Sequence, residues 1–208
     1  MTMSASEMSV CYITERRLCP EPLVLRTEKL LAAGADYVML REKDLTENEL
    51  LALAEELKKT ADKFGRRLII NGNPKVAAIV GAWAAHLPFR ALPLAAEVKA
   101  AGLKLGGSVH NAQEGRAARE AGADYVLAGH IFESDCKKGL PGRGTELITE
   151  LKTELGLPVW AVGGLNPENV NRIRAAGASV AACRSLLNQA ADPQALLEAF
   201  RAGRGAAD

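Results

Sequence analysis

One phrase recurs along this chain and limits what it can fold into. Ala33-Gly34-Ala35-Asp36-Tyr37-Val38 returns as Ala121-Gly122-Ala123-Asp124-Tyr125-Val126. Weaker copies are Val80-Gly81-Ala82-Trp83-Ala84-Ala85 and Ala176-Gly177-Ala178-Ser179-Val180-Ala181. Each copy follows a helix-like stretch and opens a short apolar run. Glycine just past a helix supplies the left-handed position that ends it. A short apolar run after it reads as a strand buried on both faces of a parallel sheet. Other strand-like runs lie between the copies: Val10-Cys11-Tyr12-Ile13-Thr14, Arg67-Leu68-Ile69-Ile70-Asn71, Leu105 to His110, and Pro158 to Val162.

Together these predict eight strands, near 10–14, 36–41, 67–71, 83–87, 104–109, 124–128, 158–162 and 179–184. Helical segments separate them. The clearest is Glu47 to Phe64, with Leu50, Leu51, Leu53, Ala54, Leu57 and Ala61 on one face. Others begin near Asn111, at Thr145, and at Asn166-Pro167, where Asn reads as an N-cap and Pro as the first helical residue. Eight strand–helix units in 208 residues predict a single-domain (β/α)8 TIM barrel near its minimum size, with a core over residues 10–200. An open doubly wound sheet would want a glycine-rich turn after the first strand. Glu15-Arg16-Arg17 stands there instead. The tail from Arg201 to Asp208 is small and polar and reads as frayed.

Composition excludes several function classes. Lys+Arg number 26 and Asp+Glu 25, a net charge of +1, so the broad basic field of a nucleic-acid binder is absent. Aromatics are 4%, too few for a base-stacking platform. No run approaches the length of a membrane span, and Met1 to Val10 does not read as a signal peptide. Cys11, Cys19, Cys136 and Cys183 lack zinc or C-x-x-C spacing. All four read as reduced thiols, which points to a cytoplasmic protein with neither nucleic acid nor membrane as partner.

In such a barrel the active site lies at the carboxyl ends of the strands. There the chain places Arg41-Glu42-Lys43-Asp44, Asn71-Gly72-Asn73, His86, Ser108-Val109-His110, His130 with Lys137, Lys138 and Arg143 beyond it, Gly163-Gly164, and Arg184-Ser185. Three histidines on one rim suggest proton transfer, since a histidine titrates near neutral pH. His86, among Ala84, Ala85 and Leu87, reads more readily as structural. Gly163 and Gly164, with Ser185 after strand 8, stand where barrels bind phosphate through backbone N–H groups. The plain alternative is a tight turn that needs glycine. The cations suggest a substrate with more than one anionic group, although some, Lys138 above all, suit an ordinary surface. Carboxylates for a metal are scarce: Glu42, Asp44 and Asp135 are the nearby acids, and Glu42 can pair with Arg or Lys instead.

Arg41-Glu42-Lys43, Asn71, Ser108-Val109-His110, Gly129-His130-Ile131-Phe132, Gly163-Gly164 and Ser185 resemble the thiamine phosphate synthase superfamily. The resemblance runs from about residue 10 to 200. One branch joins a pyrimidine pyrophosphate to a thiazole phosphate with Mg²⁺. The other, the thiazole tautomerase, aromatises a carboxythiazole phosphate and needs no metal. Against the synthase pattern this chain has Met39 for Gln, Gly72 for the Mg²⁺-binding Asp, and no acid in Pro88-Phe89-Arg90-Ala91 for the second. It also has Ser134-Asp135-Cys136-Lys137 for Thr-x-Thr-Lys. The strand 6 segment and Gly142-Arg143-Gly144 are similar to the tautomerase branch.

The resemblance therefore implies an isomerase without a metal. His110 is the expected base, and His130 an orienting group or alternative base. Gly163, Gly164 and Ser185 are expected on the phosphate. Arg41, Lys43 and Lys137 are the candidates for a carboxylate, with Asn71, Ser108 and Arg184 completing the substrate site. Asn71 has the alternative of capping the turn after strand 3. The resemblance also implies a homodimer. A Mg²⁺-dependent synthase is the alternative, and a ligand-sensing barrel without chemistry the third reading. The glycines of 133–144 suggest a loop that closes.

Overall fold

The computed structural model of the protein describes residues 8–133 and 139–203, and the statements below concern those residues. Eight parallel strands pair in chain order and close on themselves: β1 Ser9–Ile13, β2 Tyr37–Leu40, β3 Arg67–Asn71, β4 Ala84–Leu87, β5 Lys104–Val109, β6 Tyr125–Gly129, β7 Val159–Val162 and β8 Val180–Cys183. Closure runs through Val10 beside Ala181 and Tyr12 beside Cys183. The TIM barrel is thus the observed fold. β3 and β5 coincide with their expected spans, and the other six differ by one residue at one or both ends.

Helices α1 Leu23–Ala32, α2 Glu47–Lys63, α3 Pro74–Ile79, α4 Ala95–Ala100, α5 Ala112–Glu120, α6 Glu146–Leu155, α7 Val170–Ala175, α8 Ser185–Gln189 and α9 Pro193–Ala202 form the outer ring. α2 starts on a capping box, in which the Thr46 hydroxyl takes the Glu49 N–H and the Glu49 carboxylate takes the Thr46 N–H. The repeated phrase does what its glycine implies. Gly34, Gly81, Gly122 and Gly177 stand at φ +104°, +60°, +84° and +96°, a region that only glycine enters freely.

Two expectations are corrected. Asn166-Pro167 does not begin α7. The Asn166 Oδ1 accepts the N–H groups of Glu168 and Asn169 at 3.0 and 2.9 Å, which closes a turn, and the helix starts three residues later at Val170. Arg201 is not frayed. It lies in α9, and its guanidinium donates to the Gly34 carbonyl across the α1 terminus.

Strand residues alternate between two cores. One parity packs against the helices, as Val10, Tyr12, Val38, Leu40, Leu68 and Ile70 do. The other fills the barrel: Cys11, Ile13, Met39, Ile69, Ala84, Tyr125, Leu127, Trp160, Val180 and Ala182. The amino-terminal end is stopped by stacked rings. Tyr125 and Trp160 have centroids 4.0 Å apart, Tyr37 lies 4.7 Å from Trp160, and Arg67 sits 5.0 Å over Trp83. Gly106 leaves the space for Tyr125, because a Cβ there would collide with its ring. The floor is closed, so the open end is the carboxyl rim.

Candidate functional site

At that rim lies a cavity of about 690 Å³. The inward parity of the strands, at their last residues and up to three residues past their ends, supplies its walls. Met39 leads to Arg41 and Lys43, Ile69 to Asn71, Ala84 to His86, Ser108 to His110, Leu127 to Gly129, and Ala182 to Arg184. His130, Glu133, Gly163, Gly164 and Ser185 complete the polar lining. The structure thus gathers Arg41, Lys43, Asn71, Ser108, His110, His130, Gly163, Gly164, Arg184 and Ser185 around one space. His86 joins them. Lys137 and Lys138, with Ser134, Asp135 and Cys136, lie outside the described residues, as does the centre of the 133–144 loop.

His110 follows β5 and immediately precedes Asn111, the N-cap of α5. That cap fixes the first turn and brings Glu114 back over the strand end. Its carboxylate accepts from the His110 backbone N–H and lies 2.8 Å from His110 Nδ1. A carboxylate accepts only, so Nδ1 carries the hydrogen and Nε2 is left as the basic nitrogen. Glu114 is the member of this arrangement that the sequence motifs did not single out. Its signal was present as a carboxylate four residues after a histidine, spanning a helix start.

His86 is fully buried, with Nε2 2.8 Å from Ser108 Oγ and Nδ1 3.2 Å from the Tyr125 hydroxyl. Burial, with Arg41 nearby, holds its pKa down at about 3, so the ring is neutral. This agrees with its structural reading, although the ring also lines the cavity.

The loop after β2 is clasped from below. Glu42 has a fully buried side chain and takes both the Arg16 backbone N–H and its guanidinium, each at 3.0 Å. Arg16 also binds Asp44, 2.6 Å from Nη1, and Arg17 binds it at 2.7 Å. Hydrogen bonds from Arg16 hold the Asp44 carboxyl down at about 2. The acids of the segment are thereby engaged away from the cavity, and Arg41 and Lys43 face it. Thr14 supports the turn by accepting the Arg41 N–H at 2.9 Å.

Gly163 and Gly164 stand at φ +101° and +65°. A Cβ on the first would strike His130, and one on the second would strike the Phe132–Glu133 backbone. Turn geometry and packing therefore account for glycine here without any ligand. Asn169 fixes the turn by donating to the Gly164 carbonyl at 2.8 Å. α8 is pinned from behind. Asn188 donates to the Ile13 and Arg184 carbonyls, and buried Arg26 donates to those of Leu187 and Ala190. Arg184 lies 3.8 Å from Glu15. His130 Nε2 lies 3.3 Å from the Leu140 carbonyl, tying the β6 end to the following loop. Asn71 does not cap the turn after β3. Asn73 does, accepting the Val76 N–H at 2.9 Å.

The synthase resemblance implies Mg²⁺, and the donor set answers poorly to it. Among the described residues no three His, Cys, Asp or Glu side chains gather as a cation site. Glu133 lines the cavity, but Glu42 and Asp44 face arginines, Glu114 faces His110, and position 72 is glycine. Mg²⁺ wants one or two carboxylates aimed at the substrate phosphates, and the expected positions do not supply them. No helix in the described residues is long and apolar enough to cross a membrane.

Comparison with known proteins agrees with this architecture. The family model described as thiamine monophosphate synthase matches residues 10–187. A putative thiamine-phosphate synthase of Geobacter sulfurreducens is 33% identical over 197 residues, covering 92% of each chain. The thiamine-phosphate synthase of Marinobacter nauticus is 35% identical, over 90% of this chain and 87% of that one. Among solved structures, a thiamine phosphate pyrophosphorylase from Pyrococcus furiosus superposes with a TM-score of 0.85 at 26% identity, covering 96% of both chains. A 3-hexulose-6-phosphate synthase, TM-score 0.72 at 18% identity, shares the fold alone. With the match spanning almost every strand and reaching the rim residues after β2, β5, β6, β7 and β8, the chain belongs to the thiamine monophosphate synthase family.

Proposed function

We propose that this member of the family is a thiazole tautomerase, converting a non-aromatic 2-carboxythiazole-ylidene ethyl phosphate into its aromatic isomer. The observation that carries the reading is the His110–Glu114 pair at the edge of a cation-lined cavity. The reaction needs one proton moved from ring carbon C2 to the exocyclic alkene carbon. His110 Nε2 takes the C2 proton, the electron pair shifts through the ring to the alkene, and the same nitrogen returns the proton there. Glu114 holds the tautomer and stabilises the imidazolium between the two steps. Aromaticity supplies the driving force.

The substrate phosphate is assigned to the backbone around Gly163 and Gly164 and to Ser185, fixing the ring against the base. Arg41, Lys43 and Arg184 offer charge to the carboxylate and to the anion that forms as C2 loses its proton. The departures at Met39, Gly72 and Pro88–Ala91 support a reaction in which no pyrophosphate must be neutralised.

A second reading is favoured by the names of the relatives: condensation of a pyrimidine pyrophosphate with a thiazole phosphate. One pair of assays separates the two. The tautomerase reading expects metal-independent aromatisation, followed by NMR in the presence of EDTA. Mg²⁺-dependent formation of thiamine phosphate, with no aromatisation, would establish the synthase instead.

A further inference from the structure

A line of polar groups runs up through the barrel beneath the cavity. Tyr125 stacks on Trp160 in the floor. Among the described residues its hydroxyl has one hydrogen-bond partner, His86 Nδ1. His86 reaches Ser108 Oγ through Nε2, and Ser108 lines the cavity. Gly106 is the glycine that makes this possible. A Cβ there would collide with the Tyr125 hydroxyl and with His86 Nδ1 together, so the backbone is bare where the two side chains meet.

The protons can be placed by counting donors and acceptors. A neutral imidazole has one N–H and one lone pair, and burial keeps His86 neutral. If Nδ1 carried the hydrogen, it would donate to the Tyr125 oxygen. The Tyr125 hydrogen would then have no acceptor among the described residues. Leaving a buried donor unpaired weighs against that arrangement by roughly ten- to a hundredfold. In the opposite arrangement Tyr125 donates to Nδ1 and Nε2–H donates to Ser108 Oγ. Every buried proton is then used, and the Ser108 hydrogen is the one left over, at the cavity surface.

We propose that Tyr125 locks His86 as its Nε2–H tautomer, so that Ser108 meets the ligand as a hydrogen-bond donor and selects an acceptor atom at that point. In the opposite tautomer Ser108 would spend its hydrogen on His86 Nε2 and offer the ligand lone pairs alone; here that hydrogen stays available to an acceptor on the ligand. Tyr125 and His86 are positioning residues, and Ser108 is the specificity-determining one. The ligand half of the proposal rests on the cavity being the substrate site of the proposed function. The tautomer half does not.

The tautomer is read from the long-range ¹H–¹⁵N spectrum of the intact protein. The expected result is an unprotonated Nδ1 and a protonated Nε2 for His86, and the reverse pattern overturns the proposal. The ligand half is tested with the aromatic carboxythiazole ethyl phosphate as probe. Ser108→Ala and Tyr125→Phe are each expected to weaken its binding by roughly three- to tenfold, the loss of one hydrogen bond. Because Tyr125 acts through Ser108, adding Tyr125→Phe to Ser108→Ala should cost nothing more. Additive losses would mean that Tyr125 merely supports the fold, and would overturn the relay. If the unmutated protein fails to bind the probe, the proposed function falls, while the nitrogen spectrum still decides the tautomer.

Discussion

At the scale of single residues, two histidines of the same rim are set to different work by their partners. His110 is half exposed and held through Nδ1 by Glu114, which leaves a basic nitrogen. Replacing it by asparagine removes the base and keeps a polar side chain of similar reach. We expect His110→Asn to lower the aromatisation rate by roughly 10²–10⁴, the usual contribution of a general base, with probe binding largely kept. A variant that still turns over at the parent rate would assign the base elsewhere, His130 being next.

His86 is neutral by burial, and that has a sign in pH. Its folded pKa of about 3 lies below the ordinary value of 6.5. On acidification the unfolded chain therefore takes up a proton that the native state refuses. Stability is full above 6.5 and falls towards 3, by up to about 1.4 kcal/mol per pH unit for one proton. The carboxylates whose pKa values are lowered, Asp44 and Asp124 among them, lose their contribution only further into acid. Between pH 6.5 and 4.5 the melting temperature of His86→Asn should thus fall less than that of the parent. Parallel curves would show that His86 does not set the slope.

At the scale of elements, the useful question is why some of the site could be read in advance. Strand ends were legible because the repeated Gly-Ala phrase punctuates the chain, and because a parallel strand between two cores is apolar throughout. Parity then points from Ala84 to His86 and from Ile69 to Asn71. What could not be read were partners that arrive from other elements. Tyr125 comes up from the start of β6, and Arg16 reaches Glu42 from the loop after β1. Neither pairing has a local spacing signal. Asn166-Pro167 misled for the opposite reason: a valid local cap signal was spent on a turn.

The Arg16–Glu42 clasp gives this scale its own prediction. Glu42 is buried whereas Arg16 is one-third exposed, at 33%. Arg16→Met would leave a buried carboxylate with only a backbone N–H. The expected loss is about 1–3 kcal/mol in urea unfolding, the cost of stranding a polar group. With Arg41 and Lys43 less firmly held, KM should rise more than kcat falls. An unchanged urea midpoint would mean that the clasp forms no better in the folded chain than in the unfolded one.

At the scale of the molecule, the barrel separates stability from chemistry along its axis. Rings stop one end and charged or titratable groups gather at the other. The cavity is assembled from the ends of all eight strands, so it exists only when the barrel is closed. A ligand that fills it binds the folded state alone and must stabilise the whole fold. At one hundred times its Kd that linkage amounts to about 2.7 kcal/mol, or roughly 5–11 °C in melting temperature for a chain of this size. The metal question can be put in the same terms. If arginine, lysine and backbone N–H groups carry the anion, the aromatic carboxythiazole phosphate should raise the melting temperature by the same amount in EDTA as in Mg²⁺. Mg²⁺ alone should give no shift, because Glu42, Asp44 and Glu114 are engaged by Arg16, Arg17 and His110, and Glu133 is the one carboxylate among the described residues that lines the cavity. A shift that appears only with Mg²⁺ would place a divalent ion between protein and phosphate, and would favour the condensation reaction.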